Sequence, residues 1–196
     1  MTRRIMDFDT LDRFATGTVG ELGDRTFFLQ AVQDGRVVSV VLEKEQVAVL
    51  ADRVLAIIDE VERRGLAAID SGSAGLPDER PLEQPLQEEF RVGTLVIAWD
   101  EDVDRLIVEA RSMTFDAGAG ESAVRDGDDF DDDDIPDDAP IGPDVLRVRL
   151  TPFMAQQFAR RANSVVAGGR PVCPFCGEVL EPTGHFCRRD FDDLTH

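Results

Sequence analysis

Residue types that carry common enzyme chemistry are scarce in this chain of 196 residues. It has no tyrosine, one tryptophan and two histidines, and Lys44 is its one lysine. Both histidines, His185 and His196, lie near the C-terminal end, so a Ser-His or Cys-His pair has no base in the body of the chain. With 40 acidic residues, no carboxylate pair stands out as a general acid and base. These features favour a protein that is not an enzyme, without excluding one.

Long apolar runs are also missing. No stretch of about eighteen apolar residues occurs, so no membrane-spanning helix is predicted. Arg3 and Arg4 near the N-terminus are not followed by the apolar segment of a secretory signal. The three cysteines lie together in one short region, a usage that fits a reducing compartment. We therefore expect a cytoplasmic protein that does not enter a membrane.

The net charge is −19, which opposes binding to nucleic acid or to anionic membrane surfaces. Much of it lies between Asp116 and Asp144, where twelve acidic residues accompany the single Arg125. We expect the most acidic part of this loop, residues 126–138, to stay solvated. Its role is solubility, contact with a basic partner or weak cation binding by its aspartate clusters, although the loop lacks the pattern of a specific Ca²⁺ site.

Strand patterns followed by a helix pattern form the first part of the chain. Strands are predicted at 14–19, 25–32 and 36–42, and the Asp34-Gly35 pair between the last two is typical of a tight hairpin. From residue 45 the apolar period becomes that of a helix, which Gly65 should end. Its apolar stripe comprises Val47, Leu50, Val54, Ile57, Ile58 and Val61.

The same order of elements recurs in the second half. Phe14-x-x-Gly17-Thr18 is repeated as Phe90-x-x-Gly93-Thr94, and a second helix is expected from Thr151-Pro152 to Gly168. Further matches without a gap pair Leu42, Leu50, Ala51 and Arg53 with Leu150, Phe158, Ala159 and Arg161. This pattern predicts an internal duplication of a βββα unit.

The predicted fold is α+β, a two-layer domain with one antiparallel sheet and both helices on one face. The first βββα unit spans 1–64, and a glycine- and proline-containing linker spans 65–88. The second unit spans 89–169 and includes the acidic loop 116–144. Residues 170–196 form a separate tail.

The tail carries a metal-ligand pattern. Cys173-Pro-Phe-Cys176 is followed by His185-Phe-Cys187, a spacing that suits a closed, structural Zn²⁺ site with four protein ligands. His196 is an alternative to His185 as the fourth ligand. A dithiol redox motif is the rival interpretation, although the third cysteine favours metal.

Two groups of motifs resemble the bacterial family DUF3090. The first runs from Phe14 through Gly23-Asp24-Arg25-Thr26 to Val41-Leu42-Glu43-Lys44. The second comprises Arg170-Pro171-x-Cys173-Pro174-x-Cys176-Gly177 and Gly184-His185-x-Cys187. The resemblance implies a small cytoplasmic protein and supports the zinc tail, but the family carries no established activity to transfer.

Three functions are considered. The first is a zinc-stabilised adaptor or regulatory protein that binds a protein partner. The alternative is an enzyme with a small-molecule site on the sheet face or between the two halves, using Arg25, Glu43 and Lys44. The third is nucleic-acid binding through the zinc tail, where Arg188 and Arg189 form a positive cluster.

Overall fold

The computed structural model describes residues 3–21, 23–66, 78–113 and 141–168, together with the backbone of 123–126. In chain order the elements are β1 (Ile5–Phe8), β2 (Arg13–Val19), β3 (Thr26–Gln33), β4 (Arg36–Leu42), α1 (Lys44–Arg64), β5 (Glu88–Asp100), β6 (Arg105–Ser112), β7 (Ala123–Asp126), β8 (Val145–Leu150) and α2 (Pro152–Ala167).

The first three predicted strands and the turn between the last two are confirmed. β2, β3 and β4 form an antiparallel meander. The β3–β4 turn places Asp34 and Gly35 at φ 50° and 77°, the left-handed conformation that an Asp-Gly hairpin turn requires. β1 and β7 were not predicted, and β7 lies within the segment expected to form the acidic loop.

Both helices begin and end through local interactions. Glu43 and Gln46 form a capping box at the start of α1, and Gly65 ends that helix in the left-handed conformation at φ 70°. Thr151 caps α2 by accepting a hydrogen bond from the Met154 backbone, with Pro152 in the first turn. The predicted Thr151 cap and the predicted helix ends at Gly65 and Gly168 are confirmed, whereas the capping box of α1 was not predicted.

The strands form one mixed sheet in the order β1-β8-β6-β5-β4-β3-β2, with β7 paired beside β5. The prediction of an antiparallel sheet is wrong, because β4 pairs with β5, β1 with β8 and β7 with β5 in parallel. The reason is that β4 and β5 are joined across α1, and such a crossover brings the chain back in its original direction. The α+β class itself is confirmed.

The sheet is strongly curved. In a flat sheet the six spacings from β1 to β2 would span about 29 Å. The chain from Phe8 to Arg13 can bridge at most about 18 Å. The edges therefore approach each other, and α2 packs against β2 near one edge and against β6 and β8 near the other.

The core lies between the concave face of this sheet and the two helices. Alternate strand residues such as Leu29 and Ile97 share one apolar cluster with Leu50 of α1 and Phe158 of α2. The Phe158 ring lies 4.6 Å from the ring of Phe14 on β2, between centroids. Among the described residues, no helix is long and apolar enough to cross a membrane.

If β1 and the additional strand β7 are set aside, three strands followed by a helix occur twice, as β2-β3-β4-α1 and as β5-β6-β8-α2. The two proposed equivalents Leu42 and Leu150 end corresponding strands and are both buried. Internal duplication remains a prediction, discussed below.

The repeated glycines of the two units are both closely approached by another segment. A Cβ atom on Gly17 would lie 2.9 Å from Cγ of Leu82. A Cβ atom on Gly93 would lie 3.0 Å from Cα of Met113, where β5 contains an irregularity between Val92 and Thr94. The first neighbour is a side chain that can shift, whereas the second is backbone.

We expect Gly93→Ala to lower the free energy of unfolding by about 1–3 kcal/mol, because the backbone at Met113 must move. Gly17→Ala is the matched control and should be milder, since rotation of the Leu82 side chain relieves the contact. Urea denaturation of both variants measures the difference. Equal effects, or a larger effect for Gly17→Ala, would contradict this steric argument.

Candidate functional site

The predicted zinc ligands Cys173, Cys176, His185 and Cys187 lie outside the described residues, as do Arg188 and Arg189. Within the described ranges, no group of three or more histidine, cysteine, aspartate or glutamate side chains is arranged to hold a metal ion. The described part of the chain offers a different kind of site, built from arginine, amide and carboxylate groups.

The convex sheet face of the first unit carries buried polar side chains. Ala15 on β2 pairs with Gln30 on β3, and Gln30 pairs with Ser39 on β4, so these residues form one row across the strands. Side chains alternate between faces, which places Arg13 and Gly17 on the same side as Ala15. Arg13, Gln30 and Ser39 are only 5%, 1% and 2% exposed. We call these five residues the strap face.

The strap face is covered by residues 78–86, which form neither helix nor strand and which we call the strap. The Gln30 Nε2 group donates to the Glu83 carbonyl oxygen at 3.1 Å, and the Glu83 N–H donates to Gln30 Oε1 at 2.8 Å. Nε2 also donates to Ser39 Oγ at 3.0 Å. One buried amide thus binds both main-chain groups of a strap residue, as a neighbouring strand would.

Arg13 holds the first half of the strap. Its Nε donates to Asp78 Oδ2 at 2.5 Å, and its two terminal nitrogens donate to the carbonyl oxygens of Pro81 and Arg80 at 2.8 and 2.7 Å. A guanidinium group has five N–H donors in a fixed plane, which lets it bind a carboxylate and two carbonyls at once. Arg13 therefore fixes three positions along the strap.

Arg161 of α2 joins the helix to the same region. Its Nε donates to the carbonyl oxygen of Thr16 at 2.6 Å, and its Nη1 donates to the carbonyl oxygen of Asp78. Thr16 lies on β2, the last strand of the sheet order. An edge strand leaves backbone groups without a strand partner. Arg161 satisfies one of them and ties α2, β2 and the strap together.

The Asp78 carboxylate is surrounded by positive charge. Arg80 Nε donates to it at 2.9 Å, and Arg161 Nη1 lies 4.0 Å from Oδ1. Burial raises the pKa of Asp78, but hydrogen bonds from Arg80 and Arg13 outweigh burial and hold that pKa well below its usual range. Burial, and then the charge of Arg13, lower the pKa of Arg161. An acidic side chain at this strap position is therefore strongly favoured.

The Leu82 side chain of the strap lies directly over Gly17 of β2. Its Cγ and Cδ1 atoms would be 2.9 and 3.0 Å from a Cβ atom on Gly17. Gly17 thus leaves a notch in the sheet surface that accepts a leucine side chain. The strap face combines this notch with a carboxylate-binding arginine and an amide that binds the main chain.

This combination is suited to holding an extended peptide. Main-chain hydrogen bonds supply affinity in peptide recognition, and pockets for individual side chains supply specificity. A guanidinium group offers only donors and an amide offers both donors and an acceptor, so Arg13 and Gln30 together can bind carboxylate, carbonyl and N–H groups. In the structure these contacts hold residues 78–86 of the same chain.

Of the three residues considered for an enzyme site, Glu43 has a structural role. Arg25 and Lys44 lie at the end of the sheet where β3 begins and α1 starts, because Phe27 pairs with Leu42. Glu43 caps α1 and accepts a hydrogen bond from Arg91 at 2.8 Å. The capping role accounts for Glu43 at this position.

The convex face of the second unit carries a ladder of alternating charge. Arg147 on β8 lies between Glu109 on β6 and Asp7 on β1 in the strand register. Its Nε donates to Glu109 at 2.6 Å, and Arg149 donates to Asp7 at 2.7 Å. Opposite charges in neighbouring strands stabilise a sheet face. We assign this ladder a structural role.

Sequence reasoning did not identify the strap face. The strap lies within 65–88, for which the sequence predicts a linker, and Arg13 directly precedes the strand predicted at 14–19. One signal was present: Gln30 interrupts the apolar run of β3 between Leu29 and Ala31. A polar side chain inside a buried strand requires a hydrogen-bond partner, and this requirement points to a covering segment.

Replacement of Asp78 with asparagine tests the charge cluster. Because the folded pKa of Asp78 lies below its unfolded value of about 3.9, its contribution is complete above about pH 5 and declines as the pH falls. We expect Asp78→Asn to lower the free energy of unfolding by about 2 kcal/mol at pH 6, and by less at pH 3. Urea denaturation at both pH values measures this.

The exposed Glu79 offers the matched control. Glu79→Gln should leave the free energy of unfolding nearly unchanged at pH 6, since its side chain is not placed among the arginines. A difference between wild type and Asp78→Asn that stays constant from pH 6 to pH 3 would contradict the role given to the Asp78 charge.

Comparisons with known proteins place the chain in a family. The model of the family described as "Protein of unknown function (DUF3090)" matches residues 6–187, which include the chain from β2 to α2 and the cysteine motif. No curated protein and no solved structure matches the chain. The match spans most of the sequence, and the chain belongs to the DUF3090 family.

Proposed function

We propose that this protein binds a protein partner as an adaptor or regulatory protein, and that a Zn²⁺ ion orders its C-terminal tail. The observation that carries the first part is the pairing of Gln30 with both main-chain groups of Glu83. A side-chain amide placed in this way binds the main chain of any extended segment, and does so at a sheet face that the helices leave uncovered.

The burial of the polar groups supports binding as their role. A buried donor or acceptor without a partner costs about 1–3 kcal/mol, so Gln30 and Arg13 stabilise the fold only when a segment lies over them. An apolar residue at these positions would avoid that requirement. The presence of Gln30 and Arg13 therefore supports a sheet face that binds a specific segment.

The zinc proposal is supported by the donor set. Cys173, Cys176 and Cys187 are the three cysteines of the chain, and with His185 they complete a four-ligand set at spacings seen in structural zinc sites. Four protein ligands leave no open position on the metal, so the ion would hold the tail together rather than activate water. Metal binding would then be coupled to ordering of the tail.

Internal duplication is also part of the proposal. Gln30 pairs with Ser39 in the first unit, and Glu109 pairs with Arg147 in the second. Ser39 and Arg147 are separated by the same number of residues as Leu42 and Leu150. The last strand of each unit also has a parallel neighbour, β5 beside β4 and β1 beside β8. Coinciding register and pairing support a common origin of the two units.

Metal content tests the zinc proposal. We expect the full-length protein to contain about one Zn²⁺ per chain, as four ligands suit one ion, and His185→Ala to lose most of it under mild chelation. His196→Ala is the matched control and should retain the metal. Mass spectrometry of metals after dialysis against a chelator measures both. If His185→Ala keeps its Zn²⁺ and His196→Ala loses it, the fourth ligand is His196 and not His185. Wild-type protein without bound metal would contradict the zinc site.

Partner capture tests the adaptor proposal. Tagged wild type and a Leu82→Ala variant, in which the strap is held less firmly, are used to isolate proteins from extracts of the native cells. We expect one protein to be recovered in fixed proportion and to form a complex with the purified chain, measured by light scattering after gel filtration. If neither form yields a complex that can be rebuilt from purified components, the adaptor function is wrong.

A further inference from the structure

We infer that the strap face is a binding site for an extended peptide of a partner protein, and that the strap occupies it as an intramolecular competitor. The inference rests on the proposed function and names the class of partner. The contacts of the strap define the chemistry that such a peptide must have.

Three residues of the strap face, Arg13, Gly17 and Gln30, contact the strap. Arg13 binds the Asp78 carboxylate and the carbonyl oxygens of Arg80 and Pro81. Gly17 accepts the Leu82 side chain. Gln30 binds only the main chain of the next residue, Glu83. The partner peptide is therefore an extended segment with an acidic residue four positions before a leucine, preferably with proline directly before that leucine.

Proline at position 81 fits this recognition. Arg13 donates its hydrogen bond to the carbonyl oxygen of Pro81. Proline lacks a backbone N–H, but this contact does not use one, so proline is compatible with it. Proline also disfavours helical conformation in the residue before it and holds its own φ in the extended range. A peptide with proline here loses less conformational freedom when it binds.

The covering segment can exchange more readily than a strand. The strap is held through side chains of the strap face and through Arg161 of α2. In contrast, β5, which follows one residue after the strap, is paired with β4 and β6. The short connection to β5 also keeps the strap of one chain close to its own sheet. A second copy of this chain could place its strap on this strap face only if its own β5 left its place in the sheet. We therefore infer that the occupant is a segment of another protein.

A peptide with the sequence of residues 78–86, labelled with fluorescein, provides the probe. In wild type the attached strap competes at high effective concentration, so binding of the free peptide should be weak. Leu82→Ala removes the apolar contact of the attached strap only, and we expect it to bind the peptide at least about tenfold more tightly than wild type does. Fluorescence anisotropy with the full-length chain measures both dissociation constants.

Two controls make the result specific. Ile58→Val loosens the core at α1 without altering the strap face, and it should bind the peptide no better than wild type. Peptides carrying Asp78→Asn or Leu82→Ala should bind the opened protein about tenfold more weakly. If circular dichroism shows that Leu82→Ala does not fold, the Asp78→Asn protein is used in the anisotropy measurement instead. This substitution releases the other end of the strap.

The outcomes separate this inference from the proposed function. Tighter binding by an opened variant, with both controls as expected, supports the peptide site. Equal binding by wild type, the opened variants and Ile58→Val overturns it, as does formation of a dimer by an opened variant in place of peptide binding. A partner complex that forms while the peptide does not bind would leave the adaptor function standing and reject the strap face as its site.

Discussion

The short connection between β1 and β2 constrains the rest of the structure. Four residues join strands that lie at opposite ends of the sheet order, so the sheet must curl until its edges approach each other. Curling creates a concave side that accommodates two helices packed against each other. It also brings α2, which follows the eighth strand, to β2 at the start of the chain. Arg161 can reach Thr16 because of this curvature.

Curvature also separates two surfaces with different requirements. The concave face is apolar and buried by the helices, and its composition follows the hydrophobic effect. Neither α1 nor α2 lies over the convex face in the described part of the chain, and in the first unit its polar residues are covered by nine residues of the same chain. In the second unit the convex face carries a charge ladder of Asp7, Arg147 and Glu109. The two units thus use similar strand positions for different interactions.

Elements with a clear period or cap were predictable from the sequence. The α1 stripe, the Thr151 cap and the Asp34-Gly35 turn depend on neighbouring residues, and all three are present. The parallel pairing of β4 with β5 depends on contacts between distant residues, which local patterns do not encode. The strap face was missed for the same reason, since Arg13 and Asp78 are far apart in sequence. The zinc ligands, predicted from spacing alone, stay a prediction.

The use of arginine at the strap face follows from geometry as well as charge. Arg13 binds a carboxylate and two carbonyl oxygens, and Arg161 binds carbonyl oxygens on two different segments. A lysine ammonium group is a compact point charge with three donors on one nitrogen, which cannot reach acceptors spread over a strap and a strand edge. Two guanidinium groups near one carboxylate also repel each other, which makes Asp78 necessary between them. A segment that binds here must therefore bring its own negative charge.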